Sequence, residues 1–297
     1  MRKKDPSNRV ISLTRRREEK KGLSTKTSRQ TRSSKARVIA ITSGKGGVGK
    51  TSIVGNIGYA FTKLGKKVLI LDADLGLGNL DVLLGLAPKY NLSHVIMGEK
   101  TIGEILVEGP GRMSILPASS GIQELTHLNK DQKIQILTQL DRLVDCVDIL
   151  FIDTAAGISS NVMDFNATAQ EVVVVVSPEP TSITDAYALM KVLSLKYSGK
   201  TCKLIVNMVR QPEEGREVFR QLQLVTDRFL DITIEYLGYV LFDDKVSKGV
   251  KSQKIVSELF PETLASKCFT DISRKIFNMS PVNVPESGSN LFWRHLV

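Results

Sequence analysis

Gly44-Lys45-Gly46-Gly47-Val48-Gly49-Lys50-Thr51 is the stretch from which the rest of this chain can be read. It fits the pattern G-x-x-x-x-G-K-[ST], in which glycine N–H groups cradle phosphates, the lysine reaches the β and γ oxygens and the hydroxyl ligates Mg²⁺. Lys50 and Thr51 take those last two roles, and Ser52 opens the helix behind the loop. Upstream, Val38 to Ile41 is a short apolar run suited to a buried parallel strand. Downstream, Ile53, Ile57, Ala60, Phe61 and Leu64 repeat at helical spacing. Strand, loop and helix therefore follow in the order a phosphate loop requires, and the pattern predicts a nucleoside triphosphatase using Mg²⁺.

Further apolar runs end at polar tips. Val68 to Leu71 runs into Asp72-Ala73-Asp74, and Ile149 to Ile152 into Asp153-Thr154-Ala155-Ala156-Gly157. Val172 to Val176, Lys203 to Val206 with Asn207 at its tip, and Ile234 to Leu241 are further strands, and Met113 to Leu116 is a shorter candidate. Helical spacing fills the gaps at Lys130 to Val144, Thr184 to Tyr197, Gly215 to Phe229 and Pro261 to about Phe277. Buried strands alternating with helices predict an α/β fold with a mostly parallel, doubly wound sheet covered on both faces.

The formal charge of +10 is not spread along the chain. Residues 1–37 hold 14 Lys/Arg and 3 Asp/Glu, a net of +11, which leaves −1 for residues 38–297. The sequence thus divides into a basic tail at 1–36, expected to be disordered, an ATPase domain at 37–279, and an end segment at 280–297. In that end segment a Pro- and Ser-rich linker leads to Leu291-Phe292-Trp293-Arg294-His295-Leu296-Val297, which suits a membrane interface or a docking site on the protein itself. No apolar stretch reaches the length of a membrane span, so a cytoplasmic protein is expected. Cys146, Cys202 and Cys268 are far apart without a C-x-x-C, which excludes a disulfide framework and an intrinsic zinc or iron–sulfur site and predicts buried packing residues.

Phosphoryl transfer to water needs positioning and charge neutralisation. Thr51, Asp153 and Asp72 suit the metal and its water shell, and Asp74 lies where it could orient the attacking water; the alternative for Asp72 and Asp74 is turn or helix capping. Gly157 could offer its N–H to the γ-phosphate, so that the following loop senses it. Lys45 adds a second cation inside the loop. Reaching the phosphates of a facing subunit, it would act as an arginine finger does.

With these residues the chain resembles the MinD/ParA ATPases, whose deviant motif K-G-G-x-G-K-[ST] corresponds to Lys45 to Thr51. The resemblance covers about residues 37–277. It implies an ATP-sandwiched homodimer with Lys45 crossing the interface, Asp74 positioning water, Asp153 to Gly157 as a switch segment, and Asn207 and Arg210 contacting adenine together with Leu241, Phe242 and Asp243. Asp72 to Leu86 and Asp153 to Ser159 look most like the flagellar branch called FlhG, FleN or YlxH. That branch implies a regulator of flagellar number or placement that cycles on the inner face of the cytoplasmic membrane. Its implied partners are a signal-recognition-type GTPase and flagellar switch-complex proteins. Division-site regulation of the MinD type and DNA partition of the ParA type, with the basic tail on nucleic acid, are the alternatives.

Overall fold

The computed structural model describes residues 36–74, 78–118, 139–196 and 201–280. Both end segments and most of the helix expected at Lys130 to Val144 lie outside them; residues 139–144 are helical. Eight strands form one sheet: β1 (Arg37–Ser43), β2 (Val68–Ala73), β3 (Val107–Glu108), β4 (Ser114–Leu116), β5 (Ile149–Ala156), β6 (Glu171–Val176), β7 (Thr201–Val209) and β8 (Thr233–Leu241). Their order is β3-β4-β2-β5-β1-β6-β7-β8. All neighbours are parallel except β3 with β4, which pair antiparallel across two residues.

The strand sequences explain this burial. Ile39 and Ile41 point into the same core as Val173 and Val175, while Val38 and Ala40 point to the opposite face. Successive side chains alternate between faces, so a strand covered on both sides must be apolar at nearly every position. One face is covered by α1 (Lys50–Lys63), α9 (Val256–Leu259) and α10 (Leu264–Asn278). The other carries α3 (Leu92–Ile96), α4 (Ile102–Ile105), α5 (Ser160–Thr168), α6 (Pro180–Lys196) and α7 (Pro212–Phe229). The short helices α2 (Leu80–Leu83) and α8 (Asp244–Lys251) follow the tips of β2 and β8. Phe151 of β5 is fully buried with its ring edge-on to Phe61 of α1 at 5.5 Å, and its loss to alanine would cost about 3–5 kcal/mol.

From β1 the chain moves to one side for β2 to β5 and crosses to the other for β6 to β8. The carboxyl ends of β1 and its neighbours therefore frame the crevice where such sheets hold ligands. At the opposite edge the start of β1 is tied to β6 and to the end of α10. Arg37 donates to both carboxylate oxygens of buried Glu171 and to the carbonyls of Ile276 and Met279, and Lys203 Nζ lies 2.6 Å from Glu171. Among the described residues no helix is long and apolar enough to cross a membrane. The cysteines correct the expectation: Cys202 is buried, Cys268 is half-buried and Cys146 is exposed. Cys146 lies just beyond the helical residues 139–144, past the apolar spacing that would have turned it inward.

Candidate functional site

The phosphate loop joins β1 to α1, and its shape depends on glycine where it bends and where it touches. Gly47 and Gly49 have φ of +80° and +84°, left-handed values that strain any other residue. A Cβ on Gly44 would lie 2.2 Å from the carbonyl oxygen of Asp185, so the loop rests directly on the backbone of α6. Ser43 donates its hydroxyl to the Lys45 carbonyl at 2.9 Å, and Asn207, at the end of β7, donates its amide to the Val48 carbonyl at 2.7 Å. No side chain caps α1, whose first turn opens into the loop at Gly49. A helix start of this kind favours an anion through its N–H groups and dipole.

Behind the loop, Lys50 Nζ stands 3.1 Å from Asp153 Oδ1, and the Thr51 hydroxyl also bonds that carboxylate. Asp72 is the neighbour of Asp153 in the β2–β5 ladder. It accepts the N–H groups of Asp74 at 3.1 Å and Leu80 at 3.2 Å, so one carboxylate both turns the chain and faces the site. Burial, then the charge of Asp153, pushes Asp72 up to about 7. Burial likewise raises Asp153, against the pull of Lys50 and of the Thr51 hydroxyl. Carboxylates held at such cost against each other's charge suit a site that receives a further cation. Among the described residues no three His, Cys, Asp or Glu side chains form a metal cage. Mg²⁺ does not need one, because it keeps waters and binds through one or two carboxylates and the substrate's phosphates.

The remaining predicted residues fall around this centre in different states. Lys45 is held within its own subunit, its ammonium 2.8 Å from Glu179 Oε2 and 2.8 Å from Thr181 Oγ1 at the start of α6. Gly157, with φ +95°, donates its N–H to the Ser43 carbonyl at 2.9 Å, so a γ-phosphate would have to displace that bond. Asp74 is half-buried and its charge acts on both Asp72 and Asp153, and Ser52 accepts the Asn56 amide through its carbonyl at 2.8 Å. Arg210 is exposed, with its N–H on Glu214 at 2.7 Å. Leu241 is half-buried, Phe242 is 65% exposed, and Asp243 caps α8 by accepting the Lys245 N–H at 2.8 Å. Gly46 has open space around it. Sequence reasoning missed Glu179 and Thr181, and no local pattern reveals them: they meet Lys45 only because β6 lies beside β1.

Comparison with known proteins agrees with this geometry. Residues 36–204 match the family described as AAA domain. The chain is 46% identical to the antiactivator FleN of Pseudomonas aeruginosa over 239 residues, 80% of this chain and 85% of that protein. It is 32% identical to the flagellum site-determining protein YlxH of Helicobacter pylori, covering 87% and 89% of the two chains. A chain of the MinC:MinD cell division protein complex of Aquifex aeolicus superposes with a TM-score of 0.66 at 30% identity, over 85% of this chain and all of that one. A phosphate loop carrying the early lysine, carboxylates at the tips of β2 and β5, and these relatives together place the chain in the MinD/ParA family of ATPases, within its FlhG/FleN/YlxH branch.

Proposed function

We propose that this protein is an ATP-driven switch that sets flagellar number or placement by dimerising on ATP and cycling at the cytoplasmic membrane. The observation that carries the reading is the position of Lys45, whose ammonium is held at the mouth of the site by exposed groups rather than buried with Lys50. Released from Glu179 and Thr181, it can extend to the phosphates of a facing subunit. Contacts of that class are associated with about 10³ to 10⁵ in rate. The names of the relatives FleN and YlxH support the flagellar role.

In this reading Lys50 neutralises the β and γ oxygens, and Thr51 with Asp153 and Asp72 holds the metal and its waters. When bound, Mg²⁺ would neutralise phosphate charge. Asp74 orients the water, and the loop at Gly157 exchanges its bond to Ser43 for one to the γ-phosphate, reporting that phosphate to the surface. Asn207, Arg210 and residues 241–243 receive the base. The tip at 291–297 meets the bilayer, with a signal-recognition-type GTPase and switch-complex proteins as partners; nucleic acid on the basic tail is the lesser reading.

A division-site role is the second reading, favoured by 36% identity to the septum site-determining MinD of Synechocystis over 71% of this chain. Flagella counted by electron microscopy in cells carrying Lys50→Ala separate the two. Altered number or position with normal septa is expected. Unchanged flagella with misplaced septa would move the protein to the division branch.

A further inference from the structure

The tip of β7 holds a backbone outlier that folding alone does not explain. Met208 has φ +61°, a left-handed value that strains a residue with a long apolar side chain. A register shift between Asn207 and Val209 in the β7–β8 ladder imposes it. Both neighbours are fixed: Asn207 is buried with its amide on the Val48 carbonyl, and the Val209 carbonyl accepts the Phe242 N–H at 2.8 Å. Met208 itself is 40% exposed, so the strain is not offset by a place in the core. Its terminal methyl lies 3.4 Å from where a Cβ on Gly49 would stand, against the last turn of the phosphate loop. Phe242, also exposed, stands at the adjacent tip of β8.

A large, partly exposed apolar side chain thus stands against a loop built for phosphates, with exposed Phe242 at the next strand tip. The geometry points to Met208 as a base-positioning residue, whose thioether forms a wall against the flat face of the purine when the phosphates lie in the Gly44–Thr51 loop. The left-handed bulge is the device that turns the side chain out of the ladder and over Gly49. Sulfur makes favourable contacts with aromatic rings, and a flexible thioether adapts to the ring it meets. Such a wall reads ring area rather than the hydrogen-bonding edge of the base, so it favours purines over pyrimidines without separating adenine from guanine. This inference rests on the nucleotide reading above.

Glycine adopts the observed backbone without strain and removes the thioether, so Met208→Gly separates the two contributions. Calorimetric titration of the full chain with Mg²⁺-ADP, and separately with Mg²⁺-pyrophosphate, supplies the test. We expect ADP to bind roughly three- to tenfold more weakly, within the range of a sulfur–aromatic contact, with pyrophosphate within about twofold of the parent and a melting temperature no lower. Met208→Asn, which also tolerates a left-handed backbone, should behave the same way if glycine disturbs the loop. An equal loss for both ligands would mean that Met208 only shapes the phosphate loop, and no loss for ADP would remove its role; either result overturns the inference. Failure of the parent to bind either ligand would instead sink the nucleotide reading itself.

Discussion

At the amino edge of the sheet, Glu171 is enclosed between Arg37 and Lys203, whereas at the carboxyl edge Asp72, Asp74 and Asp153 gather beside Lys50. Both edges bury charge, and the carboxylates respond in opposite directions. Burial alone would raise Glu171, but the hydrogen bonds from Arg37 and Lys203 hold it below the usual range. Asp72 and Asp153 are raised, because burial and neighbouring aspartates outweigh the backbone N–H groups on Asp72 and the Lys50 and Thr51 contacts on Asp153. One edge is a finished structural joint. The other is an arrangement whose charge is balanced only when a ligand brings more cation, the usual compromise of stability for function.

The largest test of this contrast is Glu171→Ala, which leaves Arg37 and Lys203 as buried cations without their carboxylate. Breaking a buried ion network in this way costs about 3–5 kcal/mol, and urea unfolding at pH 7 should show it as a lowered midpoint. Asp153→Asn, by contrast, should cost under about 1 kcal/mol of stability in the ligand-free protein while it disables hydrolysis. Equal destabilisation by the two variants would break the comparison.

The second test is pH. Asp72 titrates near 7 in the fold and at 3.8 as an unperturbed group. Between those values the folded chain holds a proton that the unfolded chain has lost, so the contribution of Asp72 to stability is complete below about pH 4 and declines as pH rises through 7. The full decline is up to about 4 kcal/mol. Glu171, shifted the other way, contributes above its unperturbed pKa and loses that contribution as pH falls through its depressed one. Thermal unfolding without Mg²⁺ should therefore weaken from pH 5 to 8, and Asp72→Asn should flatten that slope; a slope unchanged by the variant would refute the assignment.

The smallest effect concerns Lys45. Its partner Glu179 is 65% exposed, and exposed pairs are worth about 0.2–1 kcal/mol, so Glu179→Gln should barely move the melting temperature. In the proposed dimer, however, two copies would be released. The ATP concentration needed for half-maximal dimerisation, followed by light scattering, should fall roughly two- to tenfold. An unchanged or higher ATP requirement would show that the contact with Glu179 does not restrain Lys45.

Much of this architecture was legible because a buried strand leaves little freedom of composition. Val38 to Ile41 and Ile149 to Ile152 mark β1 and β5, although the strands run on to Ser43 and Ala156. Those ends carry no run of large apolar residues, and the Thr154 hydroxyl donates to the Thr42 hydroxyl at 3.0 Å across the two strands. For the same reason β3, two residues held by one antiparallel ladder, could not be foreseen. Helix starts were displaced wherever a cap decided them: α10 begins at Leu264 because Thr263 accepts the Ser266 N–H, not at Pro261. Of the site, the phosphate loop and its carboxylates were visible as local patterns. Glu179, the amide of Asn207 on Val48 and the twist at Met208 were not, since each depends on which strands lie side by side.

The joint at Arg37 also bears on how the chain reaches this fold. Its hydrogen bonds span 134 positions to Glu171 and 242 to Met279, so forming it closes one long loop within the domain and another that runs almost its whole length. Contacts of that separation require the greatest closure entropy and come late in folding. Interactions absent from the transition state act mainly on the rate of escape from the native state. The amino edge thus serves as a kinetic fastener: it does little to start the fold, and it sets how long the assembled ATPase lasts.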